Sequence, residues 1–390
     1  MRKNMTLTAL YPQYFAVFTL YFSKMAFYAS LVLLLVANLE ISQRTIDQME
    51  SIRQSSANVP LIRLSLLNPF IDELTSRQVP FLALLEEAGL PADTPFLDET
   101  FVASNTVYAF LEMASEATGD RYLGARIGQK ADLESLPQFS VASEHSSNVG
   151  DLLTRLVSNS QHHSTSVRMA LRVEPKRSSF SFVRIQEPDR NPTQVDGYYV
   201  GMLYTVFSSA LGEDWQANRM LARVSDPDAV PADFGELTLL KGDRSGVTIT
   251  FPTEWLIESF NRDRYHAHRE RSTDLTDPPT SLIGSVRDAL APHIHETDLT
   301  VDRGAEICGF DTRQLSRRLK AKGTTLSQEI AKLRQERSAT EIAGTNRKIS
   351  DIAYSVGFTD PTVFSRAFKN WTGQSPQEYR RNHKQRTLRR

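Results

Sequence analysis

The sequence is poor in cysteine, with Cys308 alone among 390 residues. A disulfide framework or a zinc ribbon within one chain is therefore excluded, and a reducing compartment is expected. No glycine-rich loop that could cradle a phosphate and no Gly-x-Ser-x-Gly nucleophile elbow occurs. Glycine and proline number only 18 each, which excludes collagen-like chains. The length predicts two or three domains.

Net charge is also small, at −1, but this value conceals an asymmetry along the chain. Residues 299–390 carry 19 Lys and Arg against 9 Asp and Glu, so this end has a charge of +10. Residues 1–298 carry the compensating excess of acidic groups, −11. A basic C-terminal domain on an acidic body indicates a nucleic-acid partner, here double-stranded DNA.

Residues 1–48 form a hydrophobic extension in which only Lys24 interrupts the uncharged run from Met5 to Leu39. Residues 14–39 are long enough to cross a bilayer as a helix, which would anchor the protein in an inner membrane. A signal peptide fits less well, because no small-x-small cleavage site follows the apolar run. A third interpretation is that translation begins at Met49, which leaves a cytoplasmic protein. The sequence leaves the choice open.

Residues 49–260 are predicted to form one α+β domain. Apolar residues spaced three and four apart predict short helices at 80–90 and 106–118. Alternating apolar residues at 167–173 and 180–182, on either side of a polar break, predict a β-hairpin. A second alternation, from Leu237 to Phe251, predicts further strands. This domain is therefore expected to combine helices with an antiparallel sheet.

Residues 261–280 are polar, lack apolar periodicity and contain the Asp277-Pro-Pro break, so we interpret them as an interdomain linker. Residues 281–390 show no strand-like alternation. This final part, including its basic tail, is predicted to be an all-α domain.

One helical unit occurs twice in the C-terminal domain. Ala305–Phe310 recurs as Ala353–Phe358, and Leu315–Leu319 recurs as Phe364–Phe368, at offsets of 48 and 49 residues. Each copy has a short helix with a buried alanine, a Gly-Phe turn, a capping residue and a second helix. This pattern is typical of a helix-turn-helix. Two copies in tandem within a basic domain indicate a DNA reader.

The second helix of each unit is predicted to turn its polar residues outward, because apolar residues four apart face the core. Arginine can bond bidentately to guanine in the major groove, serine and threonine can bond phosphates, and lysine contacts phosphates. The residues predicted to contact DNA are Arg313, Gln314, Ser316, Arg317 and Lys320 in the first unit and Thr362, Ser365, Arg366 and Lys369 in the second.

Five other residues lie in or near these helices. The helix caps are predicted at Asp311 and Thr359. Cys308 and Trp371 are expected in the core. Arg318 is left open between a DNA contact and a pair with a local carboxylate.

These segments, with the Pro376-Gln-Glu-Tyr-Arg380 run that follows, resemble the DNA-binding domain of AraC/XylS-type transcription regulators. The resemblance implies seven helices, with a long one at about 326–343 that holds two readers in successive major grooves about 34 Å apart. It places base-reading positions on Arg313, Ser316 and Arg317 of the first unit and on Pro361, Thr362, Ser365 and Arg366 of the second. Pro361 has no side-chain donor.

The N-terminal half, notably Ala117–Gly128, is similar to the sensing domain of the AraC subgroup that includes ornithine-utilisation and virulence regulators. This similarity implies a small-molecule effector or a homodimer. An activator that contacts RNA polymerase is the expected form of such a regulator, and the sequence leaves the choice between activation and repression open.

Two other functions receive less support from the sequence. The pairs His162-His163, His266-x-His268 and His293-x-His295 lack a cysteine or a carboxylate at ligand spacing, so we interpret them as surface histidines rather than metal ligands. An enzyme with its site in residues 49–260 is the remaining alternative, but nothing there has catalytic spacing. No cofactor is expected.

Overall fold

The computed structural model describes residues 58–91, 100–131, 139, 142–143, 146–259 and 277–387. The proposed span at 14–39, the proposed start at Met49 and most of the linker at 261–280 lie outside these residues. No helix in the described part of the chain is long and apolar enough to cross a membrane. The boundaries proposed for the linker stay a prediction.

The N-terminal domain combines helices and strands, which confirms the α+β class. Its helices are α1 (Asn68–Ser76), α2 (Phe81–Ala88), α3 (Ser104–Thr118), α4 (Leu123–Lys130), α5 (Val149–Asn159) and α6 (Thr193–Leu211). Its strands are β1 (Leu61–Arg63), β2 (Phe101–Ala103), β3 (Val167–Arg172), β4 (Arg177–Arg184), β5 (Leu221–Val224), β6 (Thr238–Lys241) and β7 (Gly246–Pro252). The two helices predicted at 80–90 and 106–118 are α2 and α3.

The strands form two sheets. β1 pairs with β2 in antiparallel fashion, with Leu61 opposite Ala103. The larger sheet has the order β3-β4-β7-β5-β6. β3 and β4 form the predicted hairpin, with Met169 opposite Phe182. β6 and β7 do not pair with each other, because β5 lies between them, parallel to β6 and antiparallel to β7.

Small residues bring α4 and α6 into backbone contact. A Cβ atom at Gly201 would lie 2.2 Å from the carbonyl oxygen of Ala125, and one at Gly128 would lie 2.3 Å from that of Tyr198. Real Cβ atoms do not approach so closely, so only glycine fits these two positions. This close packing accounts for Gly124 and Gly128 of the 117–128 segment, whereas Gly119 ends α3 with a positive φ.

The C-terminal domain contains seven α-helices among the described residues, as the sequence resemblance implied. They are α7 (Leu282–Leu290), α8 (Val301–Ile307), α9 (Thr312–Ala321), α10 (Leu326–Gly344), α11 (Ile349–Ser355), α12 (Pro361–Thr372) and α13 (Pro376–Thr387). The long helix α10 matches the expected linker helix to within one residue. No strand occurs in residues 277–387.

The described residues bury three hydrophobic cores. The largest lies between the five-stranded sheet and the helices of the N-terminal domain. The second surrounds α7, α8 and α9, and it also contains Val59, Leu61, Phe101 and Ala103 of the N-terminal domain. The third surrounds α11 and α12 and contains only residues from Ile294 onward. The first helix-turn-helix unit thus shares a core with the N-terminal domain, whereas the second has a core of its own.

Candidate DNA-binding surface

Helix α9 presents a polar face because its apolar residues are spaced to face inward. Leu315 and Leu319 are fully buried in the core of the first unit. The side chain of Asp311 caps the helix by accepting hydrogen bonds from the backbone N–H groups of Arg313 and Gln314, at 2.9 and 3.2 Å. The remaining predicted residues lie outward: Arg313, Ser316, Arg317 and Lys320 are exposed and Gln314 is half-buried.

Helix α12 repeats this arrangement. Phe364 and Phe368 are fully buried, at the positions equivalent to Leu315 and Leu319. The helix is capped by Asp360, which accepts a hydrogen bond from the backbone N–H of Thr362 at 2.6 Å. The predicted cap at Thr359 was therefore wrong by one residue. The offset of 49 residues between the two units makes Asp360 equivalent to Asp311, which caps the start of α9.

The predicted contacts of the second unit lie on the solvent side of α12. Thr362, Arg366 and Lys369 are exposed, and Ser365 is half-buried. The Ser365 hydroxyl donates a hydrogen bond to the carbonyl oxygen of Pro361 at 2.8 Å. The Ser365 hydroxyl therefore already donates a hydrogen bond within the protein. Any contact that it makes with DNA uses the hydroxyl oxygen as an acceptor.

A glycine in each unit forms the turn between its two helices. Gly309 has φ +70° and Gly357 has φ +77°, in the left-handed region that disfavours side chains. Space is also short at both turns. A Cβ atom at Gly357 would lie 2.6 Å from the carbonyl oxygen of Ile294, and one at Gly309 would lie 2.8 Å from the side-chain nitrogen of Gln186.

We refer to α9 and α12 as the reading helices. The basic side chains on both of them are available to bind a polyanion. Arg313, Arg317, Lys320, Arg366 and Lys369 make no ion pair within 4.0 Å among the described residues, although many other arginines of the chain do. Hydrogen bonds from Thr362 lower the pKa of Asp360, and Arg366 adds a smaller Coulombic effect. The ionised Asp360 therefore acts on Arg366 only at longer range.

Val363 belongs to this surface but was missed in the sequence. Its side chain is 51% exposed on α12, between Thr362 and the buried Phe364. An apolar side chain can contact the methyl group of thymine in the major groove. An apolar residue next to the core phenylalanine gives no indication of exposure until the phase of the helix is known. Arg318, which was left open, has its guanidinium group 4.8 Å from the ring centre of Phe310.

Helix α10 connects the two units through Arg334. Its guanidinium group donates hydrogen bonds to the carbonyl oxygens of Ile294 and Glu296, at 3.4 and 2.8 Å. The same group lies beside the turn of the second unit, 2.6 Å from the Cβ position of Gly357, and 5.6 Å from the ring of Phe358. One side chain on the linker helix therefore holds the segment after α7 against the second turn.

Two family models match the chain in the regions just described. A model described as "Helix-turn-helix domain" matches residues 304–382, which span both reading helices. A model described as "Arabinose-binding domain of AraC transcription regulator, N-term" matches residues 79–256. The two matches give the chain a helix-turn-helix domain and an N-terminal domain similar to that of AraC transcription regulators. The family resemblance and the fold expected from the sequence are confirmed.

Curated proteins similar to this chain are named as transcription regulators. The transcriptional activator NphR of a Rhodococcus species is 26% identical over 165 residues, which are 42% of this chain and 45% of that protein. The ornithine utilization regulator of Pseudomonas aeruginosa is 37% identical over 68 residues, 17% of this chain and 20% of that protein. The chain spans less than half the length of these relatives.

Solved structures of AraC-type proteins also align with the chain. The transcriptional regulator CdpR from Pseudomonas aeruginosa aligns with 81% of this chain and 98% of its own, at 18% identity and a TM-score of 0.36. The C-terminal domain of AraT, a response regulator from Geobacillus stearothermophilus, aligns with 26% of this chain and 84% of its own, at 33% identity and a TM-score of 0.25.

Cys308 is buried, as expected, and burial raises the pKa of its thiol to about 12. Trp371 is only half-buried, with its ring 6.0 Å from that of Phe358 at the edge of the third core. The interpretation of the paired histidines as surface residues was wrong for His163 and His293, which are buried. His266 and His268 lie outside the described residues.

An open groove of about 780 Å³ lies in the N-terminal domain, between the turn before α4 and the segment between β5 and β6. Leu237 and Leu239 contribute apolar lining. Arg121 and Asp228 lie on opposite walls and approach to 3.9 Å, and both are exposed. The groove therefore combines an apolar wall with one cationic side chain, Arg121, and two acidic ones, Asp228 and Glu236.

Proposed function

We propose that this protein is a sequence-specific DNA-binding transcription regulator. Helices α9 and α12 enter successive major grooves on one side of the duplex. Arg317 and Arg366 read bases, with Arg313, Gln314, Ser316, Thr362 and Ser365 beside them. Lys320 and Lys369 bind phosphates.

One observation carries this proposal. The two reading helices present the same pattern at an offset of 49 residues, with an exposed arginine at the equivalent positions Arg317 and Arg366. An exposed arginine without an acidic partner is suited to bidentate bonding with guanine. A single helix of this kind would also be consistent with a charged helix face that is exposed to solvent and binds nothing. Two equivalent helices joined by one linker helix favour a duplex, because the duplex itself repeats.

We further propose that the N-terminal domain binds a small-molecule effector and supports a homodimer, and that RNA polymerase is contacted at the promoter. The groove with Arg121 and Asp228 on its walls is the effector site that we favour, since its charges and apolar wall suit a small amphiphilic molecule. The protein works in the cytoplasm, where its DNA lies, as an activator rather than an enzyme. No proposed role requires a cofactor.

Selection of bound DNA tests this function directly. The full chain is incubated with fragmented genomic DNA, with and without small metabolites from a cell extract, and the recovered sequences are compared. We expect a recurring site with two half-sites about one helical turn apart and a recovery that changes with the extract. Recovery of random sequences, or a binding constant independent of salt, would contradict the proposal.

A further inference from the structure

The first helix-turn-helix unit packs directly against the N-terminal domain. Val59 and Leu61 lie in the same core as Val286 and Leu290 of α7. Within that core the backbone N–H of Val59 donates a hydrogen bond to the hydroxyl of Ser285 at 3.0 Å, and both residues are buried. This contact joins residues that are 226 positions apart in the sequence.

A second contact reaches the DNA-reading part of the unit. The side-chain amide of Gln186 donates a hydrogen bond to the carbonyl oxygen of Gly309, which is the turn between α8 and α9. The amide nitrogen also fills the space beside Gly309 that a Cβ atom would occupy. Gln186 therefore contacts the turn that sets the direction of the first reading helix.

Gln186 is close in the sequence to a buried ion pair of the N-terminal domain. It follows β4 by two residues, and Arg184 at the end of β4 forms a buried ion pair with Asp196 of α6. The Asp196 carboxylate also accepts hydrogen bonds from the backbone N–H and the hydroxyl of Ser225, at 2.8 and 2.6 Å. A shift of α6 against the sheet would therefore act on the end of β4, two residues before Gln186.

The second unit lacks an equivalent support. Its core contains only residues from Ile294 onward, and the space beside Gly357 is filled by Arg334 and by carbonyl oxygens of the C-terminal domain itself. Among the described residues, the N-terminal domain thus contacts the turn of the first unit directly. It reaches the second unit indirectly, through α10 and through His293, which lies beside Gly89 and precedes Ile294 of the third core.

We propose that Gln186 is a positioning residue for the first reading helix, so that the N-terminal domain sets how well the first half-site is read while leaving the second half-site unaffected. This inference rests on the proposed function. Gln186 acts through the turn at Gly309 and does not contact DNA. A small molecule that moves α6 would change binding at one half-site of the operator.

The test uses the full chain and an operator recovered by selection. Two further duplexes each carry one scrambled half-site, and Arg317→Ala and Arg366→Ala identify which unit reads which half. Gln186→Glu keeps the shape of the side chain but replaces the donor with a carboxylate. We expect discrimination at the first half-site to fall by about threefold to tenfold, the value of one hydrogen bond. Discrimination at the second half-site should stay the same.

Gln186→Ala serves as a second variant, and Gln216→Ala as a matched control, because Gln216 is an exposed glutamine of the same domain. Equal loss at both half-sites, no change at either, or unfolding of both Gln186 variants would each overturn the inference. Failure of the unaltered chain to prefer its operator over the scrambled duplexes would instead overturn the proposed function.

Discussion

Arg184 and Asp196 form an ion pair between β4 and α6 in which the two side chains are only 1% and 2% exposed. Removing one partner of such a pair leaves the other charge buried without compensation. We expect Asp196→Ala to lower the free energy of unfolding by about 3–5 kcal/mol, measured by urea denaturation. The control is Glu174→Ala, which breaks the pair of Arg172 and Glu174 at the surface and should cost below about 1 kcal/mol. Equal costs for both variants would contradict this prediction.

Arg317→Ala and Arg366→Ala should each relax base preference in one half-site by about 1–3 kcal/mol, because a bidentate contact to guanine is lost. Titration of a panel of duplexes with single base changes measures this. Lys320→Ala is the control, since loss of a phosphate contact should weaken all duplexes equally and reduce the slope of affinity against salt by about one unit. An arginine variant that weakens every duplex by the same factor would show that its guanidinium group only binds the backbone.

Glu112 should make stability depend on pH. Burial raises the pKa of its carboxyl from 4.5 to about 7, and Asp196 adds to the shift, while the backbone N–H of Gln194 opposes it. The folded state therefore binds this proton more tightly than the unfolded state. The resulting stabilisation is complete below pH 4.5 and is lost as the pH rises through 7.

Glu112→Gln tests this effect, because the amide oxygen can still accept the 2.8 Å hydrogen bond from Gln194. At pH 8 we expect the variant to be more stable than the unaltered chain by on the order of 2–3 kcal/mol, with a flatter profile between pH 4.5 and 7. Glu87→Gln, which alters an exposed glutamate on α2 that does not contribute to the shift at Glu112, should leave the profile unchanged. A parallel shift of the whole curve would rule out titration of Glu112 as the cause.

Gly309→Ala should cost more stability than Gly323→Ala. Both glycines have positive φ, +70° and +79°, so each substitution carries a backbone penalty of about 1 kcal/mol. Only Gly309 is crowded, by Gln186 of the N-terminal domain, whereas nothing lies within 4 Å of the Cβ position at Gly323. We expect thermal unfolding to show a further loss of about 1 kcal/mol for Gly309→Ala. Equal melting temperatures would indicate that the turn does not press against Gln186.

Local patterns in the sequence were sufficient to predict the helices of both helix-turn-helix units. Leucines and phenylalanines four residues apart fixed the buried side of α9 and α12. The predicted cap was correct at Asp311, whereas Thr359 was one residue before the observed cap, Asp360. The strand β5 was missed, because its four residues, Leu221–Val224, are placed by pairing with β6 and β7 rather than by local periodicity.

Contacts between distant segments could not be predicted in this way. Burial of His293 depends on its position beside Gly89, where a Cβ atom would lie 2.9 Å from the imidazole ring. Likewise, nothing near Val59 in the sequence indicates a bond to Ser285. The arrangement of the reading surface was therefore predictable from repeats, whereas its attachment to the N-terminal domain required the tertiary structure.

The linker helix α10 has consequences for the architecture of promoters. It has 19 residues and is about 28 Å long, and Arg334 ties it to the segments on both sides. A rigid helix of this kind fixes the distance between the two helix-turn-helix units. One extra base pair between half-sites would rotate the second half-site by about 35° away from its helix, so we expect binding to require a fixed spacing between the half-sites.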